Sequence, residues 1–201
     1  IKPTPAIGGV GLIKDYKNML SMEFKSIGNI VYVIGKTEGH IDQSIFAKDI
    51  LNEKKGPPPS INLFNEKNIG ETILSLIQKK LVVSCHDISL GGILTAVSKM
   101  CIKGNKGIKI NKLKGLTNKY EYFFGEDQAR YVVEINSDNI QSVVEILKKN
   151  SIHFDDFEAF LTGNDHFGCF GITSTVGRFT CDSPHGTASH PSGDLLQAEH
   201  A

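Results

Sequence analysis

Apolar residues along the chain fall into short continuous runs and into stretches with helical spacing. Residues 30–34 are β-branched and aromatic throughout and end at Gly35, which is typical of a buried strand. Between residues 65 and 80, apolar positions recur three and four apart, which predicts a helix with one buried face. Residues 81–85 then predict a second buried strand.

The same alternation of strand and helix patterns continues toward residue 160. A short amphipathic pattern at residues 43–51 is closed by a Gly-Pro-Pro-Pro breaker, which predicts an extended surface loop at 56–59. Ser137-Asp138 is a candidate cap for the helix that follows it. The remaining predicted elements are strands at 107–110, at 131–135 and from Phe154, and helices at 93–100 and 137–149.

Strands that alternate with helices predict an α/β protein in which helices cover a sheet, and we expect that sheet to be mixed. Residues 1–172 predict one domain, whose first 28 residues form a Pro-rich, linker-like opening segment. Residues 173–201 are rich in Gly, Ser, Thr, His and Pro without periodicity, so we expect an atypical tail that could be disordered or artificially added. The chain starts with Ile rather than Met, which suggests a piece of a longer protein.

Composition and charge restrict the possible functions. Hydrophobic residues make up 40% of 201 positions, enough for one sizeable core. Lys+Arg and Asp+Glu balance at 22 each, so no overall field attracts nucleic acid or an anionic membrane, and any phosphate must be held locally. No apolar run approaches the ~18 residues of a membrane-spanning helix, so we predict a cytoplasmic protein.

The four cysteines are too few and too scattered for a disulfide framework, so we expect reduced thiols. His166, Cys169, Cys181 and His185 have spacings that a tetrahedral zinc site could use. A tail rich in these small and polar residue types can also produce such spacings by accident. Both interpretations stay open.

Asp87 is a candidate ligand group. Cys85-His86-Asp87 resembles a nucleophile, base and orienter, but adjacent residues on an extended segment point to opposite faces and cannot form that relay. Asp87 lies just past a predicted strand, where α/β proteins place ligand groups, and a carboxylate there could hold magnesium. The alternative is that Asp87 caps the helix that follows.

Other polar loops also follow or precede predicted strands. Glu126-Asp127-Gln128 could bind a metal, a ribose or a base, or could be a polar turn, and composition does not separate these. Lys36 and Thr37 follow the first strand and could face a ligand or solvent. Gly8-Gly9-Val10-Gly11 lacks the Gly or Ala that a dinucleotide fingerprint needs at position 14, so we interpret it as flexible backbone. The alternative is that its amides approach a ligand bound by a neighbouring domain.

Five motifs, in this order, resemble the final domain of the synthetase subunit of phosphoribosylformylglycinamidine synthase. They occupy residues 3–13, 35–37, 56–59, 86–92 and 124–133, and the resemblance covers residues 1–163. It implies a three-layer α/β/α domain with a mixed sheet, like the C-terminal domain of aminoimidazole ribonucleotide synthetase. It also implies an ATP-dependent ligase of purine biosynthesis that converts formylglycinamide ribonucleotide to its amidine, with ATP or ADP and Mg²⁺ as cofactors.

The implied partners are the remaining domains of the synthetase subunit, a glutaminase subunit and a small accessory subunit.

The alternative functions are a non-catalytic nucleotide-binding or regulatory module, or a domain of the aminoimidazole ribonucleotide or selenophosphate synthetases. The family's catalytic histidine is absent here and His86 does not replace it, so we assign no catalytic residue and expect the fragment alone to be inactive.

The resemblance also implies site residues. The subunit in this family is an internal duplication, and this chain resembles the second half. In the first half, the Asp matching Asp87 is a magnesium ligand, and the residues matching 126–128 contact substrate. The second-half positions are expected to face an auxiliary nucleotide site or a domain interface. We therefore expect Asp87 to bind magnesium and the following residues to face nucleotide or substrate: Lys36, Thr37, Glu126, Asp127 and Gln128.

Overall fold

One seven-stranded sheet organises the chain. The computed structural model describes residues 7–13, 15–53, 55–110, 118–162, 169–172 and 179–180, with side chains only up to residue 155. The strands are β1 Ile30–Ile34, β2 Ser84–Asp87, β3 Gly107–Ile110, β4 Tyr131–Ile135, β5 Phe154–Thr162, β6 Cys169–Ile172 and β7 Phe179–Thr180. The α-helices in the described residues are α1 Ile45–Asp49, α2 Leu63–Gln78, α3 Gly92–Gly104, α4 Lys119–Phe124 and α5 Ile140–Lys149.

The strand order is β2-β4-β1-β5-β3-β6-β7. β1 lies between β4 and β5 and is antiparallel to both. β3 pairs antiparallel with β5 but parallel with β6. The sheet is therefore mixed, as the sequence predicts.

Helices pack on both faces of this sheet. Successive residues of a strand point to opposite faces, and β1 follows this alternation. Val33 belongs to a buried cluster with Val97 of α3, whereas Ile34 belongs to a second cluster with Leu76 of α2 and Leu147 of α5. The three-layer α/β/α arrangement is confirmed.

Local sequence signals explain where the predicted helices begin. The side chain of Asn62 accepts a hydrogen bond from the N–H of Asn65 and so caps α2. Along α2, the buried residues Ile69, Ile73 and Leu76 form the apolar face that packs on the sheet. The predicted helix is thus confirmed, with its start two residues earlier.

The second strand is shorter than predicted and lies at the edge of the sheet. It begins at Ser84 rather than residue 81, because Lys80 has a positive φ of 56° and the N–H of Leu81 still bonds to Leu76 O at 3.0 Å. These residues finish the end of α2 before the chain turns into β2. An apolar run of this kind cannot be separated from a helix end by composition alone.

One helix is not among the predicted elements, and one predicted cap is wrong. Residues 119–124 form α4, because the side chain of Asn118 accepts the N–H groups of Tyr120 and Glu121 and starts a helix. Ser137 and Asp138 do not cap α5, since residues 137–139 form a 3-10 turn and α5 begins without a side-chain cap.

Part of the opening segment belongs to the core. Phe24 is 1% exposed and packs with the cluster on the α3 face. Residues 173–178 and 181–201 lie outside the described residues, while Phe179–Thr180 pairs with β6. Of the zinc candidates, His166, Cys181 and His185 also lie outside them, and only the backbone of Cys169 is described. The domain limits and the zinc site stay predictions.

Candidate functional site

The predicted site residues converge at one edge of the sheet. Ile34 at the end of β1 lies opposite Tyr131 at the start of β4, and Asp87 at the end of β2 also lies opposite Tyr131. The loop after β1, the segment before β4 and the end of β2 therefore meet at this edge. These three segments carry Asp87 and the five residues predicted to face nucleotide or substrate.

A cavity of about 680 Å³ opens at this edge. Lys36, Asp127 and Gln128 line it, together with residues 38–42 and the start of α2. Thr37, Glu126 and Asp87 are not among the lining residues. Five carboxylates line the cavity along with Lys36: Glu38, Asp42, Glu66, Glu121 and Asp127.

Asp127 binds the loop that follows β1. Its Oδ2 accepts the N–H groups of Glu38 at 3.1 Å and Gly39 at 2.9 Å, and its Oδ1 accepts that of His40 at 3.0 Å. The residue is 7% exposed, so these three amides satisfy a buried carboxylate. The loop around the cavity is thus fixed to the segment before β4.

Glu126 joins the starts of two helices. Its Oε1 accepts the N–H of Ile45, the first residue of α1, and the N–H of Gly91, directly before α3, both at 2.8 Å. Gly91 has a φ of 82°, and a Cβ there would lie 2.3 Å from Thr95 Oγ1, so its position requires glycine. The predicted alternative that Asp87 caps α3 is wrong, because the N-cap residue of α3 is Gly91 and the helix begins without a side-chain cap hydrogen bond.

Arg130 is buried beside the same segment and holds it through hydrogen bonds from its guanidinium group. It is 1% exposed, and its Nη2 donates to Gly125 O at 2.6 Å, its Nε to Asp127 O at 3.2 Å and its Nη1 to Thr37 Oγ1 at 3.3 Å. Nη1 also lies 3.6 Å from Asp127 Oδ2. Burial lowers the pKa of Arg130 and Asp127 opposes that shift. The sequence motif contains Arg130, but nothing in its spacing shows that it is buried.

Lys36 and Gln128 line the cavity and are exposed. Lys36 Nζ lies 2.8 Å from Glu38 Oε1, and this hydrogen bond raises the pKa of Lys36. The ammonium group is therefore charged at neutral pH. Its exposure leaves it able to reach an anionic ligand in the cavity.

Asp87 ends β2 with its side chain 62% exposed, and His86 Nδ1 lies 3.0 Å from its Oδ1. The sequence predicted that adjacent side chains of Cys85, His86 and Asp87 would point to opposite faces and not contact each other. His86 and Asp87 do contact each other, at the point where β2 ends. Burial raises the pKa of Cys85 to about 12, so it is not an activated nucleophile.

Asp87 provides one carboxylate for a cation. In the described parts of the chain, no three His, Cys, Asp or Glu side chains are grouped to hold a metal ion. One exposed carboxylate fits Mg²⁺ that is bound mainly through substrate phosphates, and does not fit a cage made by protein alone.

Gly8-Gly9-Val10-Gly11 lies in an exposed part of the opening segment. These residues belong to no helix or strand, and nothing lies within 4 Å of a Cβ placed on its glycines.

Among the described helices, none is long and apolar enough to cross a membrane.

The fold and the edge cavity define a three-layer α/β/α domain with a polar, ligand-sized site where strand ends and loops meet. Residues 26–155 match the family described as AIR synthase related protein, C-terminal domain. The chain belongs to this family, as its motifs indicate.

Curated relatives of the chain include subunits of phosphoribosylformylglycinamidine synthase. It is 66% identical over 156 residues to the phosphoribosylformylglycinamidine synthase subunit PurL of Pelagibacter ubique, covering 78% of this chain and 21% of that protein. It is 37% identical over 166 residues to the PurL subunit of Zymomonas mobilis, covering 82% of this chain and 22% of that protein. The chain thus spans about a fifth of the length of the curated relatives that it matches.

Solved structures of Thermotoga maritima PurL share the fold. The structure complexed with FGAR has a TM-score of 0.68 at 18% identity and covers 92% of this chain and 33% of that chain. The structure of PurLQS has a TM-score of 0.61 at 18% identity and covers 92% of this chain and 31% of that chain. At such identities, the likeness shows the fold alone.

Proposed function

We propose that this chain is the carboxy-terminal domain of the synthetase subunit of phosphoribosylformylglycinamidine synthase. The observation that carries the proposal is the 66% identity to the Pelagibacter ubique PurL subunit over most of this chain. The whole subunit would be an ATP-dependent ligase that converts formylglycinamide ribonucleotide to its amidine in purine biosynthesis. A cytoplasmic location fits this activity.

The proposed reaction uses ATP to make an oxygen a leaving group. The amide oxygen attacks the γ-phosphorus and ADP leaves; ammonia then attacks the amide carbon and inorganic phosphate departs. Magnesium, when bound, neutralises phosphate charge during this transfer. This chain supplies no catalytic residue. It completes a nucleotide-binding surface and supports the subunit, and the glutaminase, the accessory subunit and the other domains are its partners.

We place a nucleotide or substrate at the edge cavity. Lys36, Asp127 and Gln128 line the cavity, and Thr37 and Glu126 belong to the same loops. The cavity carries five carboxylates along with Lys36, so a bare polyphosphate would be repelled. A nucleotide would therefore enter as its magnesium complex. Asp87 does not line the cavity but lies exposed at the same end of the strands, and it is the candidate ligand for a metal ion that lies beyond the cavity.

A domain exchange tests the proposal. The matching 156-residue segment of the Pelagibacter ubique subunit is replaced by that of this chain, and substrate-dependent ADP release is measured with ammonia as the nitrogen donor. We expect the exchanged subunit to keep activity within about tenfold of the parent, since fewer than half of the matched positions change and most surface changes are mild. A folded, assembled subunit without activity would overturn the proposal; the unexchanged subunit is the control.

A further inference from the structure

The two acids before β4 use their oxygen atoms in different ways. Both hydrogen bonds to Glu126 end on one atom, Oε1, and leave the other oxygen without a role in them. The bonds to Asp127 occupy both oxygens, two amides on Oδ2 and one on Oδ1. The two acids therefore differ in which substitutions they tolerate.

These bonds connect the loops on the two sides of the site. Asp127 holds residues 38–40, which line the cavity. Glu126 accepts hydrogen bonds from Gly91, which lies four residues after Asp87, and from Ile45 at the start of α1. It therefore connects the loop after β2 to α1. The N–H of Glu126 also donates to His40 O at 2.8 Å. Residues 125–130 thus form a brace between the loop after β1 and the loop after β2.

We infer that Glu126 and Asp127 are positioning residues: their carboxylates hold these two loops around the cavity, and the exposed Lys36 and Gln128 meet the ligand. A ligand that took over either carboxylate would leave two or three backbone amides without acceptors, which is unfavourable wherever water is excluded. This inference rests on the proposed function for the identity of the ligand, but its structural part does not depend on it.

A pair of substitutions at position 126 separates positioning from direct contact. In Glu126→Gln the single carbonyl oxygen can still accept both amides, while the charge is lost. Glu126→Asp keeps the charge, but its shorter side chain cannot reach both amides. Asp127→Asn is the reference for a broken brace, because its NH₂ group must face a backbone N–H in either orientation.

Amide hydrogen exchange, measured by NMR on the 201-residue chain, reports these bonds one at a time. We expect Glu126→Asp to speed exchange at Ile45 and Gly91 by about tenfold or more, and Glu126→Gln to stay within about twofold of the parent. Asp127→Asn should speed exchange at Gly39 and His40 instead. Val33, in the centre of the sheet, is the reference for global unfolding.

Mg-ADP binding, measured by calorimetry on the same variants, tests the role in the site. Positioning predicts that Glu126→Gln binds like the parent and Glu126→Asp binds several-fold more weakly. The reverse order, with Glu126→Gln the weaker binder, means direct contact with the ligand and overturns the inference. Unchanged exchange at Ile45 and Gly91 in Glu126→Asp overturns it as well.

The two proposals fail in different ways. If the parent chain binds no Mg-ADP, the nucleotide assignment of this cavity fails, while the exchange rates still decide whether the brace exists. If binding is present but the exchange pattern is absent, the brace fails and the nucleotide assignment stands. If Asp127→Asn does not fold, the two substitutions at position 126 still give the answer.

Discussion

Glu134 accepts a hydrogen bond from the hydroxyl group of Ser84 at 3.0 Å across the β2–β4 pair, and both side chains are fully buried. The same carboxylate accepts the N–H groups of Lys25 at 2.8 Å and Ser26 at 2.9 Å, and the side-chain amide of Asn29 at 2.7 Å. Four donors therefore satisfy a carboxylate inside the core. It fastens the end of the opening segment to the sheet.

Glu134→Gln is expected to destabilise the domain strongly although it conserves the shape of the side chain. Each oxygen accepts one backbone N–H, so the new NH₂ group faces a donor in either orientation. We expect a loss of about 2–4 kcal/mol in the free energy of unfolding, measured with urea. Glu71→Gln, on the exposed face of α2, is the control and should change it by less than about 0.5 kcal/mol. Equal small losses in both variants would contradict the role of Glu134.

Gly35 is a second position where one added group should matter. It follows β1 with a φ of 102°, and a Cβ there would lie 2.2 Å from Ala129 O. Gly35→Ala must move the backbone before β4, so we expect thermal unfolding to show a loss of more than about 2 kcal/mol. Gly70→Ala is the matched control. Nothing lies within 4 Å of its Cβ inside α2, so it should stabilise by about 0.5–1 kcal/mol. Similar effects at both sites would refute the argument.

The sequence predicted the central strands well because their environment is uniform. β1 and β4 are covered by helices on both faces, so their residues are almost all apolar. The exception is the buried Glu134 in β4, whose carboxylate accepts four hydrogen bonds. α4 was missed because its tyrosines and phenylalanines favour strands, and its start depends on the capping side chain of Asn118.

The candidate site was only partly predictable from the sequence. The motifs located its segments, and strand pairing then brought them together. The hydrogen bonds of Asp127 reach back 87–89 residues to backbone amides, which carry no sequence signal of their own. Composition could show that acids stand before β4, but it could not show what their oxygens accept.

The buried thiol of Cys101 should make stability depend on alkaline pH. Burial raises its pKa from 9.0 to about 12. The folded state therefore keeps the proton while the unfolded state loses it above pH 9, so this contribution is complete below pH 9 and declines as pH rises toward 12. The decline is about 1.4 kcal/mol per pH unit.

Cys101→Ala isolates this contribution from the other titrating groups. The substitution removes buried volume and costs stability at pH 7. Above pH 9 the Cys101 thiol ionises in the unfolded state of the parent protein and lowers its stability, whereas the variant has no thiol at this position. The difference in free energy of unfolding between parent and variant should therefore shrink by roughly 1 kcal/mol between pH 9 and pH 10. Urea unfolding at several pH values measures this difference. A constant difference would mean that the thiol does not titrate as its burial requires.

Lys36→Ala tests which group meets the phosphates at the edge cavity. Among the described residues that line it, Lys36 is the only lysine or arginine, beside five carboxylates, so its removal leaves no lysine or arginine to balance these acids. We expect Mg-ADP affinity, measured by calorimetry, to fall about tenfold, the loss of one charge-assisted hydrogen bond. Chelation of magnesium should abolish binding by the parent chain, because the acidic cavity repels free ADP. Lys79→Ala, at the end of α2, is the control for a change in overall charge. If Lys36→Ala and Lys79→Ala bind Mg-ADP as tightly as the parent, the phosphates lie elsewhere, and Lys36 serves only its ion pair with Glu38.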